Sequence, residues 1–140
     1  MSEIIAILPA RLGSTRLPRK VLADIHGKPL IWHVWMRVKQ AKQLSAVYIA
    51  TDSEEVASVM DAFGASIIMT NPNCRSGTER LAEAVQSLSA DGIVNVQGDE
   101  PLVDPAMLDK LVENWDMTQA DLITPVFPIH EIAEVLNPNI

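Results

Sequence analysis

Cysteine is nearly absent, and Cys74 is the only one in the sequence. A single thiol excludes an internal disulfide and a cysteine-based zinc site. His26, His33 and His130 are scattered without metal-ligand spacing, so none is assigned a catalytic role. No apolar run approaches the ~20 residues that a membrane span needs. The start, Met1-Ser2-Glu3, lacks the basic residues of a signal peptide, and the run Ile4 to Leu8 is too short for its hydrophobic segment. The expectation is a cytoplasmic protein with one domain-sized core. Aromatic residues make up 4% of the chain, and Trp32, Trp35 and Trp115 fall on helical patterns where core packing explains them. The glycine-rich phosphate loops are missing too, since neither the Walker A pattern nor G-x-G-x-x-G occurs.

Acidic residues are scarce in one region. Residues 1–42 carry eight bases and two acids, for +6, whereas residues 43–140 carry three bases and sixteen acids, for −13. An acidic chain with one basic end is a poor general nucleic-acid binder. It suits a small polyanion held at the basic end with carboxylates nearby to carry a metal, although an unevenly charged surface has the same signature.

What is present is an alternation of short apolar runs with helical patterns. Ile4 to Leu8, Val47 to Ala50, Ser66 to Met69, Ile93 to Val96 and Leu122 to Val126 read as strands. Between them, Leu30, Ile31, Val34, Trp35 and Val38 have helical spacing after Pro29. Ser53 is placed to cap a helix that Gly64 stops. Ser76 to Glu79 has the spacing of a capping box, and Asp104-Pro105 opens a helix carrying Leu108, Leu111 and Val112. A last helix is expected from about His130 to before Pro138, with Ile140 beginning a further strand in a truncated chain. The fold class is α/β, with three α/β/α layers and a largely parallel sheet. Ligands in such sheets bind beyond the carboxyl ends of the strands.

Three loops at those ends carry polar groups. The first, Pro9 to Lys20, holds four cations and two hydroxyls, from which Arg11, Ser14 and Lys20 are phosphate candidates. A basic surface loop is the plainer alternative. The second, Cys74 to Arg80, offers backbone N–H groups at a helix start, though capping alone explains Ser76 and Glu79. The third, Asn95 to Pro101, places Asp99 and Glu100 after a glycine that permits close approach. One or two carboxylates plus substrate phosphates are the usual magnesium site, which makes Asp99 the metal candidate, with an ordinary turn as the alternative. Asp52 also ends a strand, where capping the next helix explains it most simply.

Together the motifs resemble the 3-deoxy-manno-octulosonate (KDO) cytidylyltransferases. The matching segments are Pro9-Ala10-Arg11, Ser14 to Pro18, Lys20, Gly27-Lys28-Pro29, Ala50-Thr51-Asp52, Ser76 to Arg80, Asn95 to Pro101 and Asn137-Pro138-Asn139. The resemblance implies a glycosyltransferase-A-like fold and magnesium-dependent transfer of CMP from CTP to KDO, an acidic sugar, for lipopolysaccharide synthesis. It implies that Arg11 and Lys20 hold the triphosphate, that Ser76-Gly77 lies at the cytosine, and that Asp99 binds Mg2+. On this reading Ala10 and Ser14 join the nucleotide contacts, Gln97 faces the sugar, and Arg11, Lys20 and Asp99 carry catalysis. Residues 1–140 would be the nucleotide-binding portion of a longer, homodimeric enzyme whose other half supplies much of the sugar pocket, a second metal-binding aspartate and the dimer interface.

The chain departs from the family pattern at Arg19, where glycine is frequent, at Cys74, where histidine is frequent, and in length. A sialic-acid or spore-coat-polysaccharide type of nucleotidyltransferase, or an inactive nucleotide-binding fragment, are the alternatives.

Overall fold

The computed structural model describes residues 2–13, 16–126, 128 and 130–138. Its centre is β1 (Ile4–Ala10), whose seven residues are all buried. The run is continuous rather than alternating because helices cover both faces of the strand. β1 leads through a loop and a 3-10 turn, Lys20–Leu22, into a two-stranded hairpin of β2 (Asp24–Ile25) and β3 (Lys28–Pro29). His26 and Gly27 turn that hairpin with positive φ.

Helix α1 (Leu30–Val38) follows, then β4 (Ala46–Thr51), α2 (Glu54–Asp61), β5 (Ser66–Met69), α3 (Gly77–Val85), β6 (Gly92–Asn95), α4 (Pro105–Thr118) and α5 (Ile132–Leu136). The main sheet has the order β5-β4-β1-β6, and every pairing in it is parallel. The chain thus builds outward from β1 through β4 to β5, then crosses back to add β6 on the other side of β1. That reversal is a topological switch point, and it opens a crevice beyond the ends of β1 and β6.

Alternation along β1 divides the core. Ala6, Leu8 and Ala10 pack with Val34, Trp35 and Val38 of α1, Val56 and Met60 of α2, and Leu108 of α4. Ile5 and Ile7 face the opposite layer with Ala50 and Ala84, against which Leu81 and Val85 of α3 pack. Ile7 and Leu8 are both fully buried, so truncating either to Ala is expected to cost about 2–5 kcal/mol.

The helix starts follow the sequence signals. Ser53 Oγ accepts from the Val56 N–H at 3.2 Å, and Asp104 Oδ1 accepts from the Ala106 N–H at 2.9 Å. Gly64 ends the α2 turn at φ 90°. Pro29 is the N-cap of α1 rather than its first residue.

Two expectations need correction. Residues 122–126 form no strand; Leu122 and Val126 are more than four-fifths exposed. Pro125 removes a ladder donor, and no described strand pairs with the segment. Asp52 does not cap α2, because Ser53 does, and Asp52 instead pairs with Arg80. The further strand expected at Ile140 lies outside the described residues. Among the described residues no helix is long and apolar enough to cross a membrane.

Candidate active site

Three loops meet beyond the sheet. The first leaves β1 at Ala10 and returns at Arg19, whose N–H donates to the Leu12 carbonyl at 2.9 Å. Arg19 takes φ 58°, in the left-handed region, where a side chain is strained and glycine is not. Its guanidinium forms an ion pair with Glu55 of α2, both groups being exposed. The hydrogen bond from Arg19 is the main reason the Glu55 carboxyl titrates below its ordinary value.

Lys20, the next residue, reaches across the crevice. Its Nζ lies 2.9 Å from Asp99 Oδ2, and the two side chains are each 41% exposed. This contact joins the first loop to the third. The third loop is also held at its glycine, where the Gly98 N–H donates to the Pro9 carbonyl at 3.2 Å. A Cβ on Gly98 would stand 3.1 Å from that oxygen and 3.3 Å from the Ala10 Cβ, so glycine is needed for close approach rather than for a special dihedral. Downstream, Arg37 of α1 donates from Nε to the Val103 carbonyl at 2.9 Å and ties the loop's exit to the core.

The second loop supplies the start of α3. Ser76 Oγ accepts from the Glu79 N–H at 3.1 Å, and Glu79 Oε2 accepts from the Arg75 N–H at 2.6 Å. This is a capping box shifted by one residue at its return bond. Gly77 faces Gln97, since a Cβ there would lie 2.9 Å from Gln97 Oε1. Gln97 Nε2 in turn donates to Asn95 Oδ1 at 3.2 Å. Cys74 donates from Sγ to Glu83 Oε2 at 3.2 Å, and burial, then Glu83, pushes the thiol pKa up. That environment disfavours the nucleophilic thiolate.

The structure therefore brings Ala10, Lys20, Gly77, Gln97 and Asp99 to one mouth, with Ser76 beside Gly77 and Arg11 exposed just after β1. Ser14 lies outside the described residues. Arg80 was given no role by its sequence context, yet it is almost wholly buried and bonded to Thr70. The signal was its position four residues before Ala84, on the inward face of α3.

The metal question turns on ligand number. Among the described residues no three His, Cys, Asp or Glu side chains converge on a cation position. Magnesium rarely uses an all-protein cage and is commonly held by one or two carboxylates with substrate phosphates. A half-exposed Asp99 fits that second arrangement. A recess of about 790 Å3 lies elsewhere, between Ser2, Asp91, Trp115, Asp116 and Asp121. Its aspartates would repel a triphosphate, and Asp91 and Asp116 already accept bonds from the Glu3 N–H and the Ser2 hydroxyl.

The sequence pattern of the cytidylyltransferases matches residues 5–140. The chain belongs to the cytidylyltransferase family. Among curated cytidylyltransferases, it is 45% identical over 128 residues to the 3-deoxy-manno-octulosonate cytidylyltransferase of Chlorobium phaeobacteroides, covering 91% of this chain and 52% of that protein. It is 47% identical over 137 residues to 3-deoxy-manno-octulosonate cytidylyltransferase 2 of Actinobacillus pleuropneumoniae, covering 96% and 54% respectively. A solved CMP:2-keto-3-deoxy-manno-octonic acid synthetase complexed with CTP superposes with a TM-score of 0.83 at 41% identity, over 85% of this chain and 49% of that one. The chain thus spans about half the length of these cytidylyltransferases.

Proposed function

We propose that the mouth binds CTP with Mg2+ and serves transfer of CMP to KDO, releasing diphosphate. The observation that carries this reading is the Lys20–Asp99 contact, 2.9 Å between residues 79 apart in sequence, at the switch point of a parallel sheet. A cation for phosphate and a carboxylate for metal share one crevice there. The curated relatives, named for this reaction, support the choice of sugar.

In this mechanism the anomeric oxygen of KDO attacks the α-phosphate of CTP. The new P–O bond forms as the α–β phosphoanhydride breaks, and diphosphate leaves. No residue becomes covalent, so positioning and charge neutralisation are the protein's contribution. Lys20 exchanges Asp99 for triphosphate oxygens, and Arg11 offsets charge on the triphosphate and the leaving diphosphate. Ser76-Gly77 lies at the base, and Gln97 faces the sugar. Bound on Asp99 and the phosphates, Mg2+ would supply further charge neutralisation and lower the pKa of the attacking hydroxyl.

Thermal melts with CTP, UTP, ATP and GTP, each with Mg2+, test the nucleotide part. A ligand at 100 times its dissociation constant that binds only the folded state adds about 2.7 kcal/mol. CTP is expected to shift the melt most. Equal shifts from all four would remove the cytosine assignment.

A further inference from the structure

We infer that Arg80 is a positioning residue that fixes the start of α3 against the sheet and thereby sets discrimination between cytosine and uracil nucleotides. The choice of ligand rests on the cytidine nucleotide reading above, while the geometry is independent of it.

Arg80 is the one buried charged side chain among the described residues, at 4% exposure. Its Nη1 donates to Thr70 Oγ1 at 2.6 Å and lies 3.5 Å from Asp52 Oδ1. Both partners belong to the sheet's carboxyl edge. Asp52 follows the last residue of β4, and the Thr70 N–H donates to the Thr51 carbonyl at 2.9 Å, extending the β4–β5 ladder by one bond. The guanidinium therefore ties the fourth residue of α3 to the ends of two strands. Glu83, further along the same helix, accepts from the Asn71 N–H at 2.9 Å and so holds the loop between β5 and α3 as well.

Stability alone does not call for this charge. Burying a guanidinium carries a desolvation cost that an apolar residue of similar length avoids. The helix start is already capped by Ser76 and Glu79. What Arg80 adds is a fixed position. Of the first four N–H groups of α3, Glu79 donates to Ser76 Oγ and Arg80 to the Ser76 carbonyl at 3.1 Å. On the cytidine reading, the N–H groups of Gly77 and Thr78 are the donors offered to the base. Cytosine presents an acceptor at N3 where uracil presents N–H, so donors held in place there distinguish the two bases. The gap they face is narrow, because an added Cβ at Gly77 would come 2.9 Å from Gln97 Oε1. A small displacement of α3 would spoil the match, and misplacement of about 1 Å can cost on the order of 100-fold.

The test is calorimetric titration of CTP and UTP, with Mg2+, into the unsubstituted chain, Arg80→Lys and Thr70→Val. Lysine keeps the charge but loses the guanidinium's fork. Valine keeps the shape of threonine but removes the acceptor, and covers the case in which Arg80→Lys fails to fold. Arg80→Lys is expected to weaken CTP binding roughly 10-fold or more, with UTP affected less, and Thr70→Val to move the same way by a smaller step. Partial unfolding lowers both affinities equally, so the CTP-to-UTP ratio isolates positioning from stability. An unchanged ratio in both variants would overturn the inference. If the unsubstituted chain shows no preference for CTP, the cytidine reading fails instead. Amide hydrogen exchange at Glu79 and Arg80, whose N–H groups bond to Ser76, then decides the role of Arg80: faster exchange in Arg80→Lys supports it, and unchanged exchange refutes it.

Discussion

Asp99 and Lys20 neutralise one another across the crevice, so each is occupied until a ligand separates them. This sets opposite expectations for the two halves of one experiment. In Asp99→Asn the carboxylate charge is lost while Lys20 is released for phosphate. CTP binding without Mg2+ is expected to hold or improve. The gain on adding Mg2+ is expected to fall by more than the ~10–100-fold typical of a residue one step removed from a metal. Isothermal titration with and without the metal measures both, and a full Mg2+ effect in the variant would exclude Asp99 as a ligand. Arg19 offers a second residue-scale test. Its left-handed backbone costs roughly 1 kcal/mol that glycine avoids, whereas the exposed Arg19–Glu55 pair is screened by solvent and offsets little of that. Arg19→Gly should therefore change stability by no more than about 1 kcal/mol in denaturant titrations, with the sign toward stabilisation. A larger loss would show that the pair holds the loop.

At the scale of elements, the two glycines of the mouth make contrasting predictions. A Cβ at Gly98 meets backbone and the short Ala10 side chain, which have little freedom to yield. Gly98→Ala should destabilise by about 1–3 kcal/mol, as overpacking does. A Cβ at Gly77 meets the end of the flexible Gln97 side chain, which can turn aside. Gly77→Ala should leave the melting temperature nearly unchanged and alter nucleotide binding. Elements whose signals are local were legible in the sequence. Ser53, Ser76 and Asp104 each bond within three residues of themselves, so spacing alone located three helix starts. The three loops were likewise legible as strand ends with unusual polar content. What spacing does not carry is a partner far along the chain. Asp52 looks like a cap until Arg80 is placed beside it. Residues 122–126 look like a strand because apolar content says nothing about whether an adjacent strand exists to accept it. The β2–β3 hairpin was unreadable for the opposite reason, since two residues per strand leave no period to detect.

For the molecule as a whole, the distribution of charge bears on turnover. Residues 43–140 offer only Arg75, Arg80 and Lys110 as bases, and Arg80 is already engaged with Asp52 and Thr70. In the proposed reaction KDO is an anion that must approach a triphosphate, and unshielded repulsion opposes that placement. These 140 residues by themselves are therefore expected to bind CTP but release no diphosphate when KDO and Mg2+ are added. Diphosphate release at the rate of a full-length relative would show that the sugar is held by groups already present here.

The crossover that places β6 beside β1 also has a kinetic meaning. β1, β4 and β5 pair in the order in which the chain presents them, whereas β6 must return to β1 across more than eighty residues. Distant pairings pay their loop-closure entropy late in folding. The crevice should thus be among the last features to form, after most apolar surface is already buried. Interactions absent from the transition state slow unfolding and leave the folding rate alone. In stopped-flow experiments, Mg2+ and CTP should therefore lower the unfolding limb while the refolding limb stays where it was. A refolding rate that rises with CTP would mean that the first and third loops meet early, with β6 acting as part of the nucleus.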